Sequence, residues 1–512
     1  MPQGPLQFKY EEEISSAGVT ALAGLPTYLD LAKVLGLAQS LDKHFGEYAT
    51  TQGWTASQVV MALVLLQLAG GDCVEDLKIL EADEGFCRIL RRVEGELTGL
   101  PRSEQRRLER RWRKEKKRSV PSPSATRRFL NLFQVDETGR AAGKSWFAPV
   151  SPMLTALRLT HRELLARIDT AAPQSEATLD ADATLKEVFK QSAHCCYKGY
   201  KAYQPLNIYW AEHDVVLHSE FRDGNVPAGH EILRVLQEAL ESLPEGVKKV
   251  YFRSDSAAYQ NALMLYLSKG LHPRFGVVDF SISADMTPEF RNAVSEVNKT
   301  EWKPLLRPVV KGGKTEFKPT GHEYAEVGFT SIALSRSKSN PDIRYVAIRQ
   351  LLKSADATRG SAVEQLELPF PVAELDGSWY KLHAIATNRL TMPADELILW
   401  HWARCGKSEE AHAVMKNDLA GGRLPSGSFG PNAAWWAVMT LAFNLNSAMK
   451  RLVLGPDWAT QRLKAIRFHL ICLPGRVLEH ARQLIIRLSK AHPSLDILTQ
   501  ARRRLCMIAG YT

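Results

Sequence analysis

The sequence predicts an α/β protein: a mixed-order sheet with helical crossovers, interrupted by a β-rich insertion and flanked by all-helical N- and C-terminal regions. Three observations predict it. Between residues 177 and 282, short β-branched runs alternate with segments of helical period. From 283 to 393, strand candidates follow one another, separated by polar and Pro/Gly stretches. Before 170 and after 393, apolar residues recur at spacings of three and four.

The front region reads as helical from 15 to 95. Leu29, Leu31, Leu35 and Leu37 share one periodic pattern, and Val59, Met61, Leu63 and Leu65 share another. Thr55 is placed to cap the second run, and Gly70-Gly71 to stop it. A helical pattern resumes over 126–170 through Phe129, Leu130, Leu132 and Phe133. Between them, residues 102–118 hold ten Lys or Arg against three Glu. A solvated helix face and a DNA-backbone strip both fit that composition, since phosphate contacts need only cations at a suitable pitch.

Strands are expected at ATLDADATL (177–185), NIYWAE (207–212), VVLHSEF (215–221), KKVYFRSD (248–255) and RFGVVDFSI (274–282). Helices are expected at 229–242 and 256–270. The insertion offers EVGFTSIALS (326–335), IRYVAIRQ (343–350) and WYKLHAIAT (379–387) as strands. Helices then run from 395 to 419, 432 to 452 and 458 to 506. The expected domains are 1–170, all-helical; 171–282, the first part of the α/β core; 283–393, the insertion; 394–452, the second part of the core; and 453–512, a helical C-terminal region.

Composition narrows the function. At 512 residues the chain suggests about three domains. A net charge of +10 favours a polyanionic partner. The seven cysteines lack any Cys-x-x-Cys pair, which argues against a zinc ribbon or a disulfide framework. The N-terminus has no signal-peptide pattern, and the apolar stretch over 59–69 is too short to span a bilayer. The expectation is a soluble, cytoplasmic protein with no membrane partner.

Phosphodiester cleavage without a covalent intermediate can be run by two divalent ions. Mg²⁺ prefers oxygen ligands, so such a site needs about three converging carboxylates on rigid elements. Asp182 lies near the end of the first strand and Asp255 at the end of the fourth. If those strands are neighbours, their carboxyl ends bring the two together. Asp180 competes with Asp182 for the first position, two residues away on the same side of the strand. The helix after Pro393 offers Glu409 or Glu410, with Lys416 two turns beyond Glu409 as a phosphate contact. Several other groups have plainer readings. Trp435-Trp436 reads as core, His194-Cys195-Cys196 as no metal site, and Asp223-Gly224-Asn225 as a turn whose neighbours Arg222 and Asn225 can approach DNA. Arg336, Lys338, Arg344 and Arg349 form either a solvated face or a DNA groove.

Three blocks resemble the DD(E) transposases of bacterial insertion sequences, within the ribonuclease-H-like superfamily: LDADAT, FRSDSA, and RCGKSEEAHAVMK with DLAGGRLPS and NAAWW. The resemblance runs from about residue 10 to 480. It implies a ribonuclease-H-like core, with Asp182, Asp255 and Glu409 as catalytic, metal-binding triad for two Mg²⁺ ions, Mn²⁺ substituting. It implies that Lys416 and Arg404 contact transposon-end phosphates, although Arg404 stands five residues before Glu409 where the family has four. His401 or Trp402 takes the place of the family's Tyr. The insertion would add DNA contacts, and Trp302 or Trp379 would stabilise a flipped base. The partners implied are double-stranded DNA, as terminal inverted repeats and target, and a second copy of the chain on that DNA. The protein would be nucleoid-associated when bound. A ribonuclease-H-like nuclease without joining activity, and a catalytically inactive DNA-binding relative, are the alternatives.

The basic strip yields a test by itself. Neutralising four residues among Arg106, Arg107, Arg110, Arg111, Arg113 and Lys114 lowers the slope of log affinity against log salt by up to about 3–4, at roughly 0.9 per lost phosphate contact. An unchanged slope in filter-binding titrations contradicts the assignment.

Overall fold

The computed structural model describes residues 18–46, 53–98, 118–141, 144–149, 151–190, 192–311, 313–336, 340–352, 372–375, 378–481 and 483–510. The basic strip, including Arg106, Arg107, Arg110, Arg111, Arg113 and Lys114, lies outside the described residues, as does Lys338.

The chain builds fifteen strands among the described residues. The first, β1 (Val19–Thr20), belongs to a small sheet at the chain ends. The core strands are β2 (Glu176–Ala183), β5 (Leu206–Trp210), β6 (Val215–Glu220), β7 (Lys249–Ser254) and β8 (Asp279–Ser283), with a short ladder of β3 (Lys186–Glu187) and β4 (Ala202–Tyr203) beside them. β2 pairs with β7 and β7 with β8 in parallel, while β5 and β6 add antiparallel strands on the other side of β2. In chain order, the core strands therefore lie third, second, first, fourth, fifth across the sheet. Helices Ile232–Ser242 and Asn261–Ser268 supply the crossovers. This is the ribonuclease-H-like mixed sheet. β2 is buried on both faces from Ala177 to Ala181, with Thr178 and Asp180 as buried polar residues among the apolar ones.

The β-rich insertion extends this same sheet. Its strands are β9 (Lys303–Lys311), β10 (Lys314–Val327), β11 (Arg344–Leu351), β12 (Val372–Leu375) and β13 (Ser378–Thr387). β13 pairs antiparallel with β8, through Ala386 opposite Ile282, and the order continues through β11 and β10 to β9. The strand expected over 326–335 stops at Val327. Gly328 offers no side chain to pack, and residues Ile332–Ser335 form a helical turn.

The helical regions hold three further differences. Over 126–170 there are two helices, Pro123–Asn131 and Pro152–Ala171, and the described residues between them are non-helical. Over 395–419 the helix breaks at Gly406, whose φ of 85° an L-residue tolerates poorly, giving Ala394–Trp402 and then Lys407–Ala413, which passes into a π-helical turn at Val414–Asp418. Over 458–506 the expected helices give way to a hairpin, β14 (Gly475–His480) and β15 (Gln483–Arg487), before the helix Ser494–Ile508. The C-terminal region is therefore not all helical. Its RVLEH and QLIIR runs carry a period of two, and β14 pairs with β1, tying the two ends of the chain into one sheet. The expectations at Thr55 and Gly70 hold: Thr55 forms a capping box with Gln58, and Gly70 ends the helix at φ 102°.

The larger of two hydrophobic clusters among the described residues runs from Leu22 to Leu505 and includes front helices, sheet and final helices; a smaller one joins Leu305, Val346, Ile348 and Ile385 to Leu397 and Ile398. The helix Phe429–Ala448 passes through the larger cluster, buried on nearly every side, with its buried asparagines hydrogen-bonded: Asn444, for example, accepts from the Val216 N–H and Asn446 from the Tyr28 hydroxyl. Trp435 and Trp436 are core residues, 0% and 1% exposed. Among the described residues, no single helix is long and apolar enough to cross a membrane.

The non-helical stretch before Pro152 is tied to the sheet by a buried ion pair. Arg140 donates to both oxygens of Asp223, at 2.6 and 2.7 Å, and also pairs with Glu137. Its guanidinium lies 5.5 Å from the Phe429 ring centre. Arg140→Ala strands the fully buried Asp223 carboxylate, and urea unfolding should register a loss of about 3–5 kcal/mol. A loss under about 1 kcal/mol contradicts this role.

Candidate active site

The strand register decides where the two aspartates fall. Ala181 of β2 stands opposite Ser254 of β7, the last paired residues of that parallel ladder. Asp182 and Asp255 are the next residues on each strand, at the carboxyl edge of the sheet, with adjacent strands about 4.8 Å apart. Asp255 leaves β7 as a cap, its Oδ1 accepting the Ala257 N–H at 3.1 Å. The helix Lys407–Ala413 lies across this edge. It presents Glu409 and His412 to a cleft that Asp182, Asp255 and Lys416 also line.

Asp182 feels the charge of the other two carboxylates. Burial, followed by the charge of Asp255, pushes the Asp182 carboxyl up to about 6; Glu409 adds to the rise, and Arg404 and Ser408 oppose it. A divalent cation would relieve this crowding, and the donor set is oxygen at an open cleft, as a hard ion requires. As the side chains stand, no three His, Cys, Asp or Glu among the described residues are gathered closely enough to hold an ion together. Glu409 is engaged elsewhere: its Oε2 accepts the Gly406 N–H at 2.9 Å, capping its own helix. The donor chemistry thus fits a cation, and Glu409 would have to leave one exposed hydrogen bond to join it.

The competing carboxylates separate clearly. Asp180 is 1% exposed and bound by both arms of Arg253, at 2.7 and 2.8 Å, so it has no free oxygen edge for the cleft. Glu409 lines the cleft, whereas Glu410 is exposed outside its lining. Lys416 reaches the cleft from the π-helical turn. Burial and nearby Lys186 draw its pKa down, and Asp182 draws it up.

Other expected contacts sit differently. Arg404 is 9% exposed and does not line the cleft; its Nε is buried without a hydrogen-bond partner, and its charge bears on Asp180 and Asp182. In this conformation it is a buried counter-charge and offers no surface to a phosphate. His401 is also buried, held between the hydroxyls of Ser281 (2.7 Å) and Ser283 (3.1 Å), with burial pushing its pKa to about 3. Trp402 packs against the His322 ring. Trp302 is 8% exposed with the Arg349 guanidinium 4.2 Å from its ring centre, so its face is not offered to a base. Trp379 is half-buried on β13. Arg344 and Arg349 pair with Glu326 and Glu323 within the sheet, and Arg222 is bound to Glu220, so burial and pairing take these cations from the DNA role. Asn225 does line the cleft.

Sequence reasoning missed the other cleft residues. Ser408 and His412, one turn apart, share the helix face towards Asp182. Tyr197, Lys198 and Tyr200 form part of the cleft wall. They sit on a tight hairpin: Cys196 N–H bonds the Tyr200 carbonyl at 2.8 Å, and Gly199 takes φ 84°. The alternation of aromatic and basic residues in CYKGYKAY was the available signal.

A family model for transposase DDE domains, group 1, matches residues 9–324 and 373–509, and the chain belongs to that family. It is a DNA transposase; its partner is DNA and its family's chemistry uses divalent metal ions. A cryo-EM structure of the piggyBac transposase synaptic complex with hairpin DNA is similar over 88% of this chain and 79% of its own, at 10% sequence identity and a TM-score of 0.38, a likeness too low to define the site. No curated protein matches the sequence.

The raised Asp182 carboxyl has a consequence for stability. Its folded pKa of about 6 lies above the ordinary 3.8, so its contribution is greatest below about pH 4 and is lost as pH rises through about 6. Asp182→Asn should therefore stabilise the metal-free protein near neutral pH, by on the order of 2–3 kcal/mol, and by nothing near pH 4. Thermal melts across that range check it; a difference independent of pH contradicts the crowding.

Proposed function

We propose that this chain cleaves the ends of a transposon and joins them to target DNA, with Asp182, Asp255 and Glu409 as the metal-binding triad. The observation that carries the reading is that these three carboxylates, from two neighbouring parallel strands and one helix, line a single cleft. Bound there, two Mg²⁺ ions, or Mn²⁺ in their place, would supply activation of the attacking oxygen and charge stabilisation at the leaving oxygen.

The protein's own residues would do the positioning. Asp182 and Asp255 present oxygens from the rigid sheet edge, and Glu409 closes the set from the helix. Lys416 and Lys198, both in the cleft lining, would neutralise phosphate oxygens of the bound strand. Asn225 would hydrogen-bond the DNA beside them. No serine or tyrosine nucleophile is required, because the attacking group is water for cleavage and a 3′-hydroxyl for joining.

The finer assignments follow the same reading. Residues 1–170, with the basic strip, and residues 453–512 would bind the terminal inverted repeats or dimerise; residues 171–282 and 394–452 would form the catalytic core, interrupted by the insertion at 283–393. Two copies would align two ends on double-stranded DNA. The protein would work in the cytoplasm, at the nucleoid.

Asp182→Asn, Asp255→Asn and Glu409→Gln should each slow Mg²⁺- or Mn²⁺-dependent nicking of end DNA by at least about 10²–10³-fold. Binding of the same DNA in a gel-shift assay should change little, and wild-type protein should join pre-cut ends to a plasmid. Retained nicking in Glu409→Gln with loss in Glu410→Gln overturns the choice of glutamate. Nicking without joining overturns the transposition step.

A further inference from the structure

A chain of hydrogen bonds runs through the sheet to the cleft, and its direction is set at the far end. Trp436, in the core helix Phe429–Ala448, donates its indole N–H to Ser219 Oγ on β6 at 2.9 Å. An indole N–H can only donate. The side-chain partners of Ser219 among the described residues are Trp436 and Asn207, so its hydroxyl proton goes to Asn207 Oδ1 on β5, at 2.6 Å. Asn207 therefore turns its amide nitrogen towards His412 Nε2, 3.1 Å away. An amide N–H₂ donates, so that ring nitrogen must present a lone pair. With a lone pair on Nε2 the ring is neutral and carries its one proton on Nδ1. Nδ1 faces Asp182 Oδ2 at 3.7 Å.

We propose that His412 is a positioning residue: an Nδ1-protonated imidazole, its tautomer set from Trp436 through Ser219 and Asn207, that steadies Asp182 Oδ2 and leaves Asp182 Oδ1 for the cleft. The proposal rests on the reading of Asp182 as an ion ligand. Two features of the fold support it. Asn207 is the strand partner of Asp182 across the β2–β5 ladder, so the relay ends beside the residue that it serves. Ser408 lies one turn before His412 on the same helix, so both side chains approach Asp182 from one element, the one that also bears Glu409. The 3.7 Å separation exceeds a formed hydrogen bond, so in this structure the N–H faces the carboxylate without yet bonding it. A donor fixed in this way orients a metal-binding group as outer hydrogen bonds do for other ligands.

The test combines tautomer and affinity. In the wild-type chain, labelled with ¹⁵N-histidine and free of metal near pH 7, the ring resonances of His412 are expected to report the Nδ1–H tautomer, assigned by their loss in His412→Asn. Ser219→Ala and Trp436→Phe should shift them towards the Nε2–H form. Mn²⁺ titrations followed by electron paramagnetic resonance should show affinity about 10–100-fold weaker in His412→Phe. His412→Asn, which keeps an N–H near the same place, should stay within a few-fold of wild type. An Nε2–H or doubly protonated His412 in the wild type overturns the proposal, as does equal Mn²⁺ affinity in His412→Phe. Unchanged affinity in Asp182→Asn would instead sink the ion-ligand reading and leave the tautomer result standing.

Discussion

Parallel pairing between β2 and β7 is the constraint on which the site depends. The two strands lie far apart in sequence, yet their ladder ends with Ala181 opposite Ser254, so the following aspartates emerge side by side at one edge. A slip of one residue would turn Asp182 away and put Ala181 or Ala183 in its place. The register is held by more than backbone bonds. Asp180 and Arg253 stand opposite each other in the same ladder and form a buried bidentate pair that penalises any other alignment. Asp180 thus locks the strands, and Asp182 faces the cleft that the lock defines.

That arrangement concentrates negative charge, and the surrounding residues are disposed to tolerate it. Arg404 is buried close enough to lower the ionisation cost of both Asp180 and Asp182. Glu409 is parked on its own helix start, which keeps a third carboxylate from full opposition to the other two. The break at Gly406 makes this possible, because it begins a new helix whose first turn carries Glu409 and whose next carries His412. The π-helical turn that follows brings Lys416 to the same cleft. Such irregular turns inside helices often mark functional positions.

Much of this was legible in the chain. The core strands and crossover helices show in local period and β-branched content. Asp182 and Asp255 stood out as carboxylates at strand ends, and Glu409 was set apart from Glu410 by its block's resemblance to the transposase family and its spacing to Lys416. What was not legible depended on tertiary pairing. Nothing local in FRSD says that Arg253 will claim Asp180, or that Arg404, His401 and Trp302 will be buried. The insertion looked like a separate β unit, because a sequence does not show that β13 returns to pair with β8. The β14–β15 hairpin was hidden by neighbouring helical patterns, and its partner strand, β1, lies at the other end of the chain. His412 carried no signal until the fold placed it beside Asn207.

The central claim is convergence of three carboxylates around divalent ions, and the most direct measurement is anomalous scattering from crystals of the full chain soaked in Mn²⁺. The account predicts two peaks roughly 3.5–4 Å apart, ringed by the carboxylates of Asp182, Asp255 and Glu409. Mn²⁺ bound elsewhere in the molecule, with no density among these three at saturating concentration, would contradict it.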